Sequence, residues 1–415
     1  MSEVRVRYAP SPTGIPHIGN IRTALYNYLF AKASGGKFIL RIEDTDRKRL
    51  VEGSEEKIEE SLKVLGLIWD EQYRQSERVD TYKKYLEELK KKDVAYEDEG
   101  AWRVRVPEDG ILSWEDVVHG KVEFASKVLE DFIIIKSDGF PTYHFASVID
   151  DHEMKISHVI RGDEWISSTP KHLLLYESLG WKPPNFVHVP PILGNDHKKL
   201  SKREGAKSVL EYVEEGYLPE ALVNFLVLLG WSPKDNKEIF SLEDLTKIFS
   251  LERLNKNSPI FNVEKLNWLN GQWIRKLSDK ELLAKILKTF PGYDAEVTKK
   301  LIPITKDRIN KISEFKLLVD FLFEPPKEPL PVSIATEFLE DAVVKFEKLE
   351  EWKAQSIKGA IDETAREEGV DRIELIKAIR NIVSGREVTP PLYESLEILG
   401  KDETVKRLQK FTQKK

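Results

Sequence analysis

The sequence predicts a parallel α/β nucleotide-type domain followed by an all-helical half, on three observations. A strand–helix–strand unit opens the chain at residues 4–42. Strand signals then alternate with helical periodicity as far as about residue 210. Beyond Glu211 the strand signals fade, and periodic helical segments run on with Pro- or Gly-bearing breaks between them. The chain has 415 residues, 40% hydrophobic and 33% charged, enough for two or three domains with a sizeable core. This composition excludes a disordered or collagen-like chain.

In order, Val4, Val6 and Tyr8 alternate with Arg5 and Arg7, a strand signal. The loop Pro10-Ser-Pro-Thr-Gly-Ile-Pro16 follows. A helix is expected from about Gly19 to Ala33, ended by Ser34-Gly-Gly36, and Lys37–Ile42 reads as a second strand. Such a unit suits a right-handed parallel crossover, with ligands beyond the strands' carboxyl ends near residues 10–20 and Glu43-Asp-Thr-Asp46. A helix from about Ser54 stops at Gly66. Strand-like segments at 102–106, 121–124 and 131–136 suggest a small mixed α/β insertion over about 70–130. The parallel pattern resumes at Ser157–Arg161, followed by a helix with Pro170 in its first turn, and Phe186–Val189 is a further strand. Helical segments are expected at 219–230, 241–250, 280–289, 334–349, 354–368 and 372–383, with a Pro-rich linker at 324–331.

Without cysteine there can be no disulfide, thiolate nucleophile or Cys-ligated zinc. Two Met and abundant Lys and Glu follow the thermophilic trend. The N-terminus lacks the apolar core of a secretory signal, and no apolar run reaches membrane-span length, so a soluble cytoplasmic protein is expected. The net charge of −6 advertises no nucleic acid; a polyanionic partner would have to meet local basic stripes. The tail from Lys406 to Lys415, with five basic residues and no acid, is one such stripe or simply a solvated helix end.

The loop Gly14-Ile-Pro-His17-Ile-Gly19-Asn20 resembles a phosphate-binding P-loop only superficially, with Asn20 and Ile21 where Lys and Ser/Thr would be needed. What remains is a turn that sets His17 before a helix N-terminus, where amides, dipole and imidazole suit a phosphate. The run Lys198-Lys199-Leu-Ser201-Lys202-Arg203, between Gly194 and Gly205, is a second anion-collecting candidate on the same domain. Asp150-Asp-His-Glu153 does not have ligand spacing on one helix face, so capping or surface charge is the better reading, and no metal site is expected. Asp44 and Asp46 are read as loop-capping.

Together, Ala9-Pro-Ser-Pro-Thr-Gly-Ile-Pro-His17-Ile-Gly19-Asn20 and Lys199-Leu-Ser-Lys202-Arg203 resemble the two signatures of class I aminoacyl-tRNA synthetases. Arg41-Ile-Glu43-Asp-Thr-Asp46-Arg47, Pro141-Thr-Tyr143 through Asp150-Asp-His and Val159-Ile-Arg161-Gly-Asp-Glu-Trp165 are similar to further blocks of bacterial-type glutamyl-tRNA synthetases, in family order. The resemblance implies a Rossmann-like catalytic domain at 1–70 and 131–210. It also implies an acceptor-end insertion at 71–130, a helical connecting domain at 211–274 and an all-helical anticodon-binding region at 275–415. The implied reaction joins glutamate and ATP into glutamyl-adenylate plus pyrophosphate, then passes glutamate to the 3′ end of tRNA(Glu), and of tRNA(Gln) in a cell that amidates the product. His17, Lys199 and Lys202 would be catalytic. Gly19, Asn20, Ile192, Ser201 and Lys202 would hold ATP. Arg7, Ala9, Ser11, Glu43, Tyr143, Arg161 and Trp165 would form the glutamate site, with cations for the carboxylates and an anion for the ammonium. Mg²⁺ would arrive with ATP as co-substrate, without a dedicated cage or protein-bound zinc, and a monomer is expected.

Two features depart from that pattern. Where many relatives carry a longer, sometimes Cys-bearing segment, this chain has only Tyr96-Glu-Asp-Glu-Gly100. The first signature ends in Asn20 rather than His. An inert tRNA-binding paralogue is the alternative, opposed by the retained His17, Lys199, Lys202, Glu43, Arg7 and Arg161. A glutaminyl-tRNA synthetase would have β-barrels where this chain is patterned as helix.

Overall fold

The computed structural model describes residues 3–200 and 206–413. The chain forms two compact units, Met1–Glu214 with Pro219–Leu269, and Glu215–Leu218 with Asn270–Lys415.

In the first unit, β1 (Arg5–Tyr8), α1 (Ile18–Ala33), β2 (Lys37–Ile42), α2 (Ser54–Val64) and β3 (Glu71–Arg74) form the opening module. It is followed by α3 (Val79–Lys91), β4 (Ala95–Asp98), β5 (Ala101–Val104), β6 (Ile111–Asp116), β7 (Gly120–Ala125) and β8 (Phe132–Ile135). Then come α4 (Tyr143–Glu153), β9 (His158–Gly162), α5 (Thr169–Leu179), β10 (Asn185–Val189), α6 (Val209–Glu214), α7 (Pro219–Leu228) and α8 (Leu242–Ile248). α9 (Val263–Lys276) contains the residue at which the division falls.

β1, β2 and β3 pair in parallel, as do β9, β10 and β6, with β7 antiparallel on β6. The Ser157 amide donates to the Arg5 carbonyl at 2.9 Å, setting the start of β9 beside β1. The lateral order is therefore β3-β2-β1-β9-β10-β6-β7, and the chain's progress across the sheet reverses between β1 and β9. β4, β5 and β8 form a separate antiparallel sheet.

The insertion expected at 71–130 is thus not a separate body. β3 extends the parallel sheet at one end, and the β6–β7 hairpin extends it at the other. Sequence reading missed β6 because its inward residues are Trp114 and Asp116, and a buried acid breaks the apolar alternation.

α4 carries the other correction. Asp150 and Asp151 neither cap the helix nor face solvent: they are 0% and 4% exposed. Asp150 accepts from Arg78 Nε at 2.7 Å, Tyr82 Oη at 2.8 Å and Gln75 Nε2 at 2.9 Å. Asp151 Oδ1 accepts from Arg7 Nε at 3.0 Å and Arg41 Nη1 at 2.7 Å. Consecutive helix residues point about 100° apart, so each carboxylate serves a different set of donors. Asp44 does anchor a loop, accepting from the Ser76 amide at 2.8 Å.

In the second unit, α10 (Asp279–Thr289), α11 (Ala295–Thr305), α12 (Glu314–Val319), α13 (Thr336–Lys348) and α14 (Ala354–Glu367) follow in order. They are succeeded by α15 (Arg372–Ser384), α16 (Leu392–Leu399) and α17 (Lys401–Thr412). α13 to α17 share a core around Phe346, Ile361, Ile379 and Leu408. α10 starts on a capping box at Ser278–Glu281, and α15 on an Asp371 N-cap. α11 escaped sequence reading because Pro303 sits within it, in the last turn. The basic tail is partly structural: Arg407 is buried and donates to the carbonyls of Phe321 and Val383 at 2.7 and 2.8 Å. Among the described residues no helix is long and apolar enough to cross a membrane.

Removing one charge from a buried ion pair strands its partner, at a cost of about 3–5 kcal/mol, against about 0–1 kcal/mol for an exposed pair. Asp150→Asn is therefore expected to lower the urea midpoint of the first unit strongly, whereas Glu60→Gln, which breaks an exposed pair with Lys57, leaves it nearly unchanged. Equal midpoints for the two variants would contradict this account of α4.

Candidate active site

The reversal between β1 and β9 is where parallel α/β sheets open a crevice beyond their carboxyl ends. A cavity of about 690 Å³ lies there, within the range of small-molecule sites. Of the residues expected to hold glutamate, Arg7, Ala9, Ser11, Glu43, Tyr143, Arg161 and Trp165 all line it, together with His17 and Asn20. A narrower cleft of about 60 Å³ shares His17 and Asn20 and adds Gly19, Ile192 and Lys199. Ser201 and Lys202 lie outside the described residues.

The inner wall is a charge network. Arg7 is buried on a central strand, not outward on an edge, and spends Nε and Nη2 on Asp151. Arg41, fully buried, links Asp151 to Glu43, whose Oε1 takes Arg41 Nη2 at 2.9 Å. Two guanidinium groups and two carboxylates thus balance. Arg7 Nη1 and Glu43 Oε2 have no partner among the described residues. Burial pushes the Glu43 carboxyl above its ordinary value, with Arg41 and Arg7 opposing. Burial would also raise Asp151, but Arg7 and Arg41 outweigh it and hold that carboxyl below its ordinary value.

Arg161 differs. Its Nη1 donates to Tyr143 Oη at 3.1 Å and to His172 Nδ1 at 3.3 Å. Its Nη2 donates to Thr169 Oγ1 at 2.7 Å and the Trp165 carbonyl at 3.3 Å, and its Nε to His188 Nε2 at 3.1 Å. Every N–H has an acceptor, and every acceptor is neutral, so no carboxylate touches this guanidinium. Because the Tyr143 oxygen already accepts from Arg161, its own proton is left for a ligand. The Trp165 ring covers Tyr143, with centroids 4.4 Å apart.

At the other end, His17 is the N-cap of α1, its Nδ1 accepting from the Gly19 amide at 3.0 Å. Accepting at Nδ1 fixes a neutral imidazole's proton on Nε2, where it can donate to an anion. Burial and the nearby Lys199 lower the His17 pKa, Glu164 opposing, and so favour that neutral form. Lys199 and Leu200, the described residues of the second signature, line the narrower cleft with His17. The Ile18 amide donates to the Lys207 carbonyl at 3.0 Å, and Leu200 pairs back onto the Ile192 carbonyl at 3.0 Å.

Sequence reasoning missed Arg41, Asp151, His188 and Asp116. Arg41 did leave a signal, since Arg41 and Glu43 are two apart on an extended segment and share a face. His188 and Asp116 left none, being brought together only by strand pairing. Among the described residues no group of three or more His, Asp or Glu could hold a metal ion.

The chain matches the family model described as tRNA synthetases class I (E and Q), catalytic domain, over residues 3–102 and 97–268. It matches an anticodon binding domain over residues 272–412. A glutamate–tRNA ligase of Dehalococcoides mccartyi is 42% identical across 98% of this chain and 96% of its own. One from Bacillus licheniformis is 38% identical across 99% and 100%. Among solved structures, a glutamate tRNA ligase from Elizabethkingia meningosepticum in complex with its amino acid has a TM-score of 0.90 at 34% identity, covering 99% of both chains.

A Cβ added at Gly19 would lie 2.8 Å from His17 Cε1 and 3.0 Å from Nδ1, so Gly19→Ala must displace the imidazole. Loss of the cap costs about 1 kcal/mol of stability. Loss of a hydrogen bond to a charged phosphate is expected to weaken nucleoside triphosphate binding by about 10- to 100-fold. Calorimetric titration with ATP checks this, and unchanged affinity would remove His17 from the phosphate site.

Proposed function

The chain belongs to the glutamate–tRNA ligases among the class I tRNA synthetases, and from that membership and the cavity's charges we propose how its residues divide the work. The enzyme activates glutamate with ATP and transfers it to tRNA. One observation carries the assignment of the amino-acid site: a balanced wall of Arg7, Asp151, Arg41 and Glu43 stands beside Arg161, which no carboxylate touches. A substrate with two carboxylates and one ammonium gives each exposed charge of such a site a partner, whereas one with a single carboxylate leaves a guanidinium without a carboxylate.

Arg7 Nη1 and the Tyr143 hydroxyl, backed by Arg161, take a substrate carboxylate, and Glu43 Oε2 accepts from the ammonium. Ala9 and Ser11 line the neighbouring loop, and Trp165 covers the ligand. A substrate carboxylate oxygen attacks the α-phosphorus of ATP and pyrophosphate leaves. The 3′-terminal hydroxyl of tRNA then attacks the acyl carbon and AMP leaves. No protein nucleophile is required, so catalysis is positioning and charge stabilisation. His17 donates Nε2–H to a phosphate oxygen, Lys199 and Lys202 neutralise the departing pyrophosphate, and Gly19, Asn20, Ser201 and Ile192 hold the nucleotide. Mg²⁺ arrives with ATP, held mainly by phosphate oxygens. The enzyme acts as a monomer on tRNA(Glu); tRNA(Gln) is the second substrate to test.

ATP–pyrophosphate exchange, run with glutamate or glutamine and with or without tRNA, tests this assignment. Exchange is expected with glutamate only. Arg7→Gln is expected to raise the KM for glutamate by about 10- to 100-fold with little change in the KM for ATP. Parallel loss in both would mean that Arg7 serves the fold rather than the substrate.

The pH dependence has a defined sign. The Glu43 carboxyl is raised by burial, so protons compete with the ammonium at higher pH than at a free carboxylate. The KM for glutamate is expected to stay flat near neutrality and to rise as pH falls through that raised value. Glu43→Gln should raise the KM at neutral pH and abolish the acid limb. An acid limb that persists in Glu43→Gln would assign it elsewhere.

A further inference from the structure

Arg161 touches no carboxylate, and one lies directly behind its imidazole partner. Arg161 on β9 and His188 on β10 are register partners across a parallel pair, and Asp116 ends β6 on the far side of β10. Their side chains form a buried row. Arg161 Nε meets His188 Nε2 at 3.1 Å, and His188 Nδ1 meets Asp116 Oδ2 at 2.5 Å. His188 is 0% exposed, Asp116 3% and Arg161 5%.

Donor and acceptor rules fix the protons in this row. A guanidinium only donates, so His188 Nε2 presents its lone pair. Burial acts to raise the Asp116 carboxyl. Hydrogen bonds from His188 and from the amides of Val118 and His119 outweigh burial and keep it below its ordinary value, while burial lowers the His188 pKa and favours the neutral ring. An ionised Asp116 only accepts, so His188 carries its proton on Nδ1. The row therefore reads carboxylate, neutral imidazole in the Nδ1–H tautomer, guanidinium.

We propose that His188 and Asp116 are positioning residues for glutamate recognition: the neutral ring orients the Arg161 guanidinium and keeps the balancing carboxylate one imidazole away, leaving the cation's field for the substrate. A carboxylate in direct contact, as Asp151 is with Arg7, would spend that charge inside the protein. The Asp116 carboxylate is itself held by the Val118 and His119 amides at 3.0 and 3.2 Å, in the turn between β6 and β7. Chain that belongs to the β6–β7 hairpin thus sets the geometry of an arginine in the amino-acid site. The inference rests on the reading of Arg161 as a partner of the substrate carboxylate.

Steady-state exchange kinetics on the full chain test it with four variants. Arg161→Lys tests the underlying reading. His188→Gln preserves the relay, since its amide can accept from Arg161 and donate to Asp116, whereas His188→Leu removes it. Asp116→Asn keeps the shape but turns a donor toward His188 Nδ1 if its oxygen stays on the backbone amides, forcing the ring proton onto Nε2 against Arg161.

Arg161→Lys, His188→Leu and Asp116→Asn are each expected to raise the KM for glutamate by about 10- to 100-fold, and His188→Gln by about 3-fold or less, with the KM for ATP unchanged. ¹⁵N shifts of the labelled wild-type protein should show a pyrrole-type Nδ1 and a pyridine-type Nε2 for His188. If Arg161→Lys leaves the KM for glutamate unchanged, the reading of Arg161 fails. If Arg161→Lys raises it but Asp116→Asn and His188→Leu do not, the positioning proposal alone is overturned. The same follows if both KM values move together with a falling Tm, or if His188 carries its proton on Nε2. Should His188→Leu fail to fold, Asp116→Asn and His188→Gln still decide between the outcomes.

Discussion

Asp151 is the carboxylate on which the site and the surrounding fold both depend. It receives Arg7 from β1 and Arg41 from β2, and Arg41 in turn holds Glu43 at the end of the same strand. Buried ion pairs give little net stability compared with apolar residues of the same size, because desolvation offsets their attraction. What this network provides is a fixed geometry. The helix that presents Asp151 cannot shift against the sheet without separating charges that water does not reach. Asp150, the adjacent residue, binds the same helix to Arg78, Tyr82 and Gln75 on another side.

The charges of the cavity wall are unevenly paired. In the inner wall Arg7 and Arg41 are matched by Asp151 and Glu43, and Arg161 stands apart with neutral acceptors. A cation left unpaired in a buried site is costly, on the order of 3–5 kcal/mol, which is the physical ground for separating a carboxylate from an amide of nearly equal shape. At the other end of the cavity the logic differs. His17 has its Nδ1 committed to the Gly19 amide, which sets a neutral ring's proton on Nε2, so orientation rather than net charge is what it offers an anion.

Much of this was legible in the sequence because the signals are local. The opening strand–helix–strand unit and the Gly and Pro punctuation are set by a few neighbouring residues each. So is the placement of His17 before a helix. The resemblance of the motif blocks supplied the reaction. What was hidden depends on pairing between distant strands and helices. Asp150 and Asp151 look like surface acids until α4 is packed against five donor residues from elsewhere in the chain. His188 and Asp116 are separated by more than seventy positions and meet only because β10 lies between β9 and β6. Asp116 even obscured its own strand, since an inward acid breaks the alternation by which a strand is recognised. Ser201 and Lys202, singled out in the sequence, lie outside the described residues.

We infer that Arg161, touched by no carboxylate and set beside the balanced wall, makes this a site for a dicarboxylate amino acid. Calorimetric titration of the full chain with glutamate and with glutamine, in the presence of a non-hydrolysable ATP analogue, tests it most directly. Saturable glutamate binding is expected, with a preference over glutamine of at least about 100-fold. Comparable binding of the two would contradict it, because a site indifferent to the second carboxylate cannot be one that an unpaired guanidinium defines.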